Sequence, residues 1–226
     1  MRLPTYLRFA LLSLLCLAPT SALFGQTLTF SGTAITINDD AAASPYPSNA
    51  TASGFALGTT ITNVTVDLTG IDHIFPDDIG LLLVGPTGVE VLLMTDSGGG
   101  SPLVDVDMTF DDAAATGVPD DGPIVSGVSY KPSMGVISLL SGEHDPNFPA
   151  PAPTGPYSTT LSAFDGTDPN GAWRLYVDDD SAPDGGDIDG WSITITAVPE
   201  PSTWIAGFLA TAALGYGYLR RRRCVA

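Results

Sequence analysis

Residues 168–196, DPNGAWRLYVDDDSAPDGGDIDGWSITIT, admit few folds. Asp168, Pro169, Asn170 and Gly171 are all turn formers. From 172 to 177, Trp173, Leu175 and Val177 alternate with Arg174 and Tyr176, which is the period of a strand. Residues 178–189 hold six aspartates, two glycines and a proline, so they predict a loop rather than regular structure. From 191 to 196, Trp191, Ile193 and Ile195 alternate with Ser192, Thr194 and Thr196, a second strand. Two tryptophans thus anchor two strands across a carboxylate-rich connection. The pattern predicts the edge of a β-sandwich, with either a cation site or a solvated loop between the strands.

The rest of the middle region follows the same period. Residues 27–38 alternate through Leu28, Phe30, Ile35 and Ile37, and 39–49 form a loop. Residues 61–68 set Ile61, Asn63, Thr65 and Asp67 against Thr62, Val64, Val66 and Leu68. Residues 79–84 are continuously apolar and predict a central strand. Gly85-Pro86-Thr87-Gly88 turns the chain back into a second arm over 89–95. A further strand covers 104–110. Residues 113–160 are rich in Pro, Gly and Ser and predict long ordered loops with one short strand. Beyond the first 25 residues, nothing before residue 200 carries a helical period, so the domain over 26–197 is expected to be all-β.

Charge narrows the partners. Residues 26–200 hold all 25 acids but only Lys131 and Arg174 as bases, a net charge of −23. Nucleic acid needs a basic footprint, so it is excluded as a partner. Calcium, a basic partner or plain solubility outside the cell fits that balance. The two cysteines, Cys16 and Cys224, lie outside this region, which excludes thiolate zinc sites and cysteine nucleophiles within it.

Both ends carry targeting patterns. Residues 1–25 predict a secretory signal helix: Arg2 and Arg8 precede an apolar run over 9–18, with cleavage after Ala22 or Gly25. The final segment, 198–226, has three parts. Pro199, Glu200 and Pro201 form a polar, proline-broken motif; 204–219 are apolar; Arg220, Arg221, Arg222 and Arg223 form a basic block. As a helix, 204–219 would span ~25 Å against a hydrocarbon core of ~30 Å. Four arginines would stop it on the cytoplasmic side, leaving the acidic domain outside.

That final segment resembles a PEP-CTERM sorting signal, with motif, apolar span and arginine block in order. The resemblance implies processing by an exosortase, and delivery to the cell envelope or extracellular matrix of a Gram-negative-type bacterium. Residues 55–196 resemble the P domain (P/Homo B) of proprotein-convertase-like proteases. The residues that carry this are Val64-Thr65-Val66-Asp67-Leu68, then Asp72-His73-Ile74-Phe75-Pro76-Asp77-Asp78-Ile79. They continue in the strand and turn of 81–88, in Gly171-Ala172-Trp173, and in 186–195 with its Gly190-Trp191 pair. The implied fold is a jelly-roll-like β-sandwich. The implied role is to support the folding, stability and calcium dependence of a neighbouring subtilisin-like serine endopeptidase. That protease has no counterpart here. A catalytic triad needs Asp, His and a nucleophilic Ser in one constellation, and the chain has two histidines and no Gly-Thr-Ser-type turn. His73 is expected to hold a loop by a hydrogen bond, and His144 to be an exposed loop residue.

Calcium is the chemistry the residues suit best, because hard cations take oxygen ligands. The candidate ligands are Asp77, Asp78, Asp111, Asp112, Asp178, Asp179, Asp180, Asp184 and Asp187. They do not form an EF-hand: counting from Asp180, position 3 is Ala182 and position 12 is Trp191 rather than glutamate. Trp173 and Trp191 are expected in the core rather than on a sugar-stacking surface. The expectation is a non-catalytic module with a structural or adhesive role, anchored in the membrane by its tail helix. The alternatives are a calcium-dependent module that binds exopolysaccharide or a surface protein, and an accessory domain for a protease encoded elsewhere.

Overall fold

The computed structural model describes residues 25–135 and 148–199. The signal segment 1–24, His144, Glu200, Pro201, the apolar span 204–219 and Arg220, Arg221, Arg222 and Arg223 lie outside the described residues. Among the described residues, no helix is long and apolar enough to cross a membrane.

The described chain is all-β and forms two six-stranded sheets packed as a sandwich. Twelve strands are numbered in order: β1 (Gln26–Ser31), β2 (Ile35–Ile37), β3 (Ala41–Ala42), β4 (Ser48–Ala52), β5 (Thr59–His73) and β6 (Ile79–Val84). They continue as β7 (Glu90–Thr95), β8 (Leu103–Phe110), β9 (Val128–Tyr130), β10 (Ser133–Met134), β11 (Gly171–Asp179) and β12 (Gly186–Pro199). One sheet has the order β1-β12-β5-β8-β9, with β2 also on β12. The other has the order β10-β7-β6-β11-β3, with β4 also on β11.

The main core lies between the sheets. Val64, Val66 and Leu68 of β5, and Trp191, Ile193 and Ile195 of β12, face Leu81 and Leu83 of β6 and Trp173, Leu175 and Val177 of β11. Both tryptophans are buried and hydrogen-bonded, as amphipathic rings require. Trp173 Nε1 donates to the carbonyl of Pro169 at 3.1 Å, and Trp191 Nε1 to Ser48 Oγ at 2.8 Å. The expected alternation at 173–177 and 191–196 therefore holds.

The second sheet is buried on its other face too, which explains the unbroken apolar run of β6. Leu82, Val84, Leu92 and Tyr176 pack there beneath Phe148, with Tyr46 and Tyr157 at the margin. Gly85 N–H donates to the carbonyl of Val89 at 2.9 Å, closing the expected hairpin between β6 and β7.

Five expectations are corrected. The strand over 27–38 is two strands, because Gly32 lies flat against the Trp191 indole and β1 and β2 then join separate parts of β12. The loop over 39–49 contains β3 and the start of β4. Ile61 faces the core together with Val64, not with Asn63 and Thr65, because a bulge opposite Thr196 and Ala197 reverses the phase of β5. The acidic loop shrinks to 180–185. β11 runs on through Asp178 and Asp179, and β12 begins at Gly186, because both ends find strand partners in Ile79, Gly80, Asp72 and His73. Within 113–160, the described residues hold two short strands, β9 and β10.

β5 and β12 run antiparallel over almost their whole length, from Thr59↔Pro199 to His73↔Gly186. At ~3.3 Å per residue the pair is ~45 Å long. β1 begins beside the end of β12, with Gln26 opposite Ala197. The first and last described residues thus lie at one pole of the sandwich, and the acidic connection 180–185 sits at the other.

Candidate functional site

At that far pole four strand ends meet: β5 finishing at His73, β6 starting at Ile79, β11 finishing at Asp179 and β12 starting at Gly186. β5 and β12 belong to one sheet and β6 and β11 to the other. His73 Nε2 reaches across the sandwich to Asp179 Oδ2 at 3.1 Å, and neither side chain is exposed to solvent. The backbone N–H of Phe75 donates to His73 Nδ1 at 3.2 Å. An imidazole nitrogen that accepts carries no proton, so the neutral ring has its N–H at Nε2 and donates it to Asp179. His73 holds the loop, as expected, and its partner is the carboxylate at the end of β11.

The local sequence builds this approach. A Cβ at Gly186 would lie 1.9 Å from the carbonyl oxygen of Asp72 and 3.0 Å from His73 Cδ2. Only glycine lets β12 begin so close to the histidine. Pro76 opens a 3₁₀ turn (Pro76–Asp78) that brings Asp77 and Asp78 round to the same pole. The backbone N–H of Asp180 donates to the Asp78 carbonyl at 3.1 Å, tying the acidic connection to that turn.

Asp184 completes the cluster. Its backbone N–H donates to Asp39 Oδ1 at 3.2 Å, and its Oδ1 lies 3.8 Å from His73 Nε2. That side chain is 8% exposed, and Oδ1 has no hydrogen-bond donor among the described residues. Asp179 is better supplied, since Ser181 N–H donates to its Oδ1 at 3.1 Å. Among the described residues, no Lys or Arg forms an ion pair with Asp78, Asp179 or Asp184.

The electrostatics follow. Burial, then the charges of Asp184, Asp180, Asp179 and Asp77, push the Asp78 carboxyl up to about 7. Burial, then Asp180, Asp179 and Asp40, push Asp178 up to about 6. Burial also raises Asp179; the Ser181 N–H and the His73 hydrogen bond oppose that, and Asp184 adds to it. Asp178 follows strand alternation to the other face of β11, beside Tyr46, whose hydroxyl is raised by burial and by the Asp178 charge. Asp178 Oδ1 is likewise buried without a donor among the described residues.

The nine aspartates expected as ligands are therefore not one site. Asp77, Asp78, Asp179, Asp180 and Asp184 converge at one pole, with Asp178 behind them. Asp111 and Asp112 follow Phe110, whose partner Val66 is seven residues from His73 along β5, roughly 20 Å away. They have backbone work of their own. Ala113 N–H donates to Asp111 Oδ1 at 2.8 Å. Leu161 and Ser162 N–H donate to Asp112 Oδ1 and Oδ2 at 2.9 and 2.8 Å, capping a 3₁₀ turn (Leu161–Phe164). Asp187 is exposed on β12, opposite Asp72. Of the sorting motif, Pro199 ends β12.

One contributor had no signal in the sequence. Asp39 holds Asp184 from 145 residues away, and nothing local marks that pairing.

No family model matches the chain, and no curated protein matches it in sequence. Among solved structures it is similar to the crystal structure of the Aeromonas sobria serine protease and chaperone complex, at 13% identity over 77% of this chain, with a TM-score of 0.37. It is also similar to the crystal structure of the serine protease of Aeromonas sobria, at 14% identity over 80% of this chain, with a TM-score of 0.34. In both cases it spans 28% of the other chain's length.

Proposed function

We propose that the chain is an exported, non-catalytic P-domain-like module of jelly-roll type, sorted by an exosortase through Pro199, Glu200 and Pro201. Its role is structural or adhesive in the cell envelope or extracellular matrix. The observation that carries the non-catalytic reading is the state of His73. A general base must reach substrate with a free nitrogen. His73 is sealed between the sheets, and both its nitrogens are committed, one to Phe75 N–H and one to Asp179. Such a histidine clamps two sheets together and activates nothing.

Export and anchoring rest on the sequence of the two ends, and the fold is compatible with them. β1 and β12 leave the same pole side by side, so a tail following Pro199 would tether the sandwich with its acidic pole directed outward. One observation favours the alternative of a binding module. Ile74 and Phe75, next to His73, are 60% and 42% exposed, so the outward pole offers an apolar contact beside its charges.

Two assays test the proposal. In a host with and without an exosortase, the chain is expected in the envelope or medium only when the enzyme is present. The purified chain is expected to leave peptide and glycan substrates intact. Hydrolysis that disappears in His73→Ala while the variant stays folded overturns the non-catalytic reading. Tight co-purification with a serine endopeptidase would favour the accessory-domain role over an adhesive one.

A further inference from the structure

We propose that the far pole of the sandwich binds one calcium-class divalent cation on the carboxylates of Asp78, Asp179 and Asp184, with His73 positioning Asp179 rather than touching the metal. This does not depend on how the chain is exported or anchored.

The first observation is the orphaned oxygen. Asp184 Oδ1 is buried, points at the His73–Asp179 pair and has no donor among the described residues. A buried charged oxygen without a partner is strongly disfavoured unless a cation or proton supplies one. The second is spacing. One ligand atom each from His73, Asp179 and Asp184 lie within 4.8 Å of one another. Oxygens on one calcium at ~2.4 Å are at most ~5 Å apart, so the two carboxylates already stand at ligating separation.

The third is the surroundings. Lys131 and Arg174 are the only Lys and Arg among the described residues, and neither forms an ion pair with the three carboxylates. Asp77 and Asp180 add further negative charge beside them. A single proton can bridge one pair of oxygens but leaves the rest in repulsion; a divalent ion addresses all three at once.

The histidine decides which ion. Zinc and its neighbours would take imidazole nitrogen. Ligation through Nε2 requires the proton to move to Nδ1, where the Phe75 N–H already points, so two donors would face each other. With Nε2–H retained, the site offers oxygen alone, which is the donor set of calcium. Asp179 is then a ligand held from behind by an imidazole N–H, and carbonyl groups and water complete the shell.

The full chain, stripped of metal by chelator, is titrated calorimetrically with calcium chloride, and its unfolding temperature is followed in parallel. The expected result is one equivalent bound and a rise in unfolding temperature. Asp184→Asn should weaken binding at least tenfold and lose that rise, while its metal-free form unfolds no lower than the metal-free parent because one like charge is gone. Asp187→Asn, on the exposed face of β12, should bind as the parent does. Zinc chloride at the same concentration should not displace calcium. Should Asp184→Asn fail to fold, Asp78→Asn carries the same comparison. Absence of binding at millimolar calcium overturns the proposal. So does equal weakening by Asp184→Asn and Asp187→Asn, which marks a diffuse counterion cloud. Zinc binding that His73→Gln abolishes would reassign the site to an imidazole-ligated metal.

Discussion

At the scale of single residues, aspartate does three separate jobs that its sequence context does not distinguish. Asp112 is a cap: both its oxygens accept backbone N–H groups at the start of the Leu161–Phe164 turn. Charged caps of this kind contribute about 1–2 kcal/mol. Asp112→Ala should therefore lower stability by about that amount in denaturant titration and leave the response to calcium unchanged; a lost calcium response would move Asp112 into the cation site. Asp179 is a buried anion that depends on a donor from the opposite sheet. His73→Ala removes that donor and leaves a small void between β5 and β11, a loss of about 3 kcal/mol. His73→Gln, which can still offer an N–H, should recover part of it.

At the scale of elements, the strands that were legible are those whose core-facing residues keep a strict period of two or form an unbroken apolar run. β11 and β12 show their tryptophans, leucines and isoleucines at period two, and the core takes those residues. The parts that misled are places where another strand changed the phase. Ile61 alternates with Asn63 and Thr65 in sequence, yet the bulge against β12 turns it inward. Asp178, Asp179, Asp187 and Asp189 look like loop residues by composition, yet they extend β11 and β12 because Ile79, Gly80, Asp72 and the rest of β5 supply ladder partners. The candidate site was legible as a supply of carboxylates. Its selection was not, since which aspartates meet depends on β5, β6, β11 and β12 ending at one pole. Gly32 marks another such dependence. A Cβ there would fall 2.0 Å from Trp191 Nε1, inside the bond to Ser48. Trp191 is buried and has no room to yield, so Gly32→Ala should destabilise by about 3 kcal/mol through overpacking and the displaced indole. Thermal unfolding of this variant beside an exposed control such as Thr87→Ala checks it; equal stability would mean that β1 and β2 can part from β12 at no cost.

At the scale of the whole molecule, the two poles of the sandwich have opposite duties. One gathers the first and last described residues; the other gathers like charges that the fold brings together. The second sets how stability depends on pH. Asp78 and Asp178 are held at about 7 and about 6 in the folded chain, by burial and then by neighbouring carboxylates. In the unfolded chain both return to the ordinary value of about 4. Between about pH 4 and pH 7 the folded state therefore binds more protons than the unfolded state, and stability falls as pH rises through that window. The metal-free chain should unfold at a temperature several degrees lower at pH 8 than at pH 5. Calcium meets the same repulsion that the protons relieve, so it should restore stability at pH 8 and change less at pH 5, where Asp78 already carries its proton. Asp78→Asn should flatten the metal-free profile, which separates this local effect from the general repulsion of an acidic chain. An unfolding temperature that stays level or rises from pH 5 to pH 8 in chelator would show that the far pole keeps its charges apart without proton or metal, and that its buried oxygens are satisfied by water.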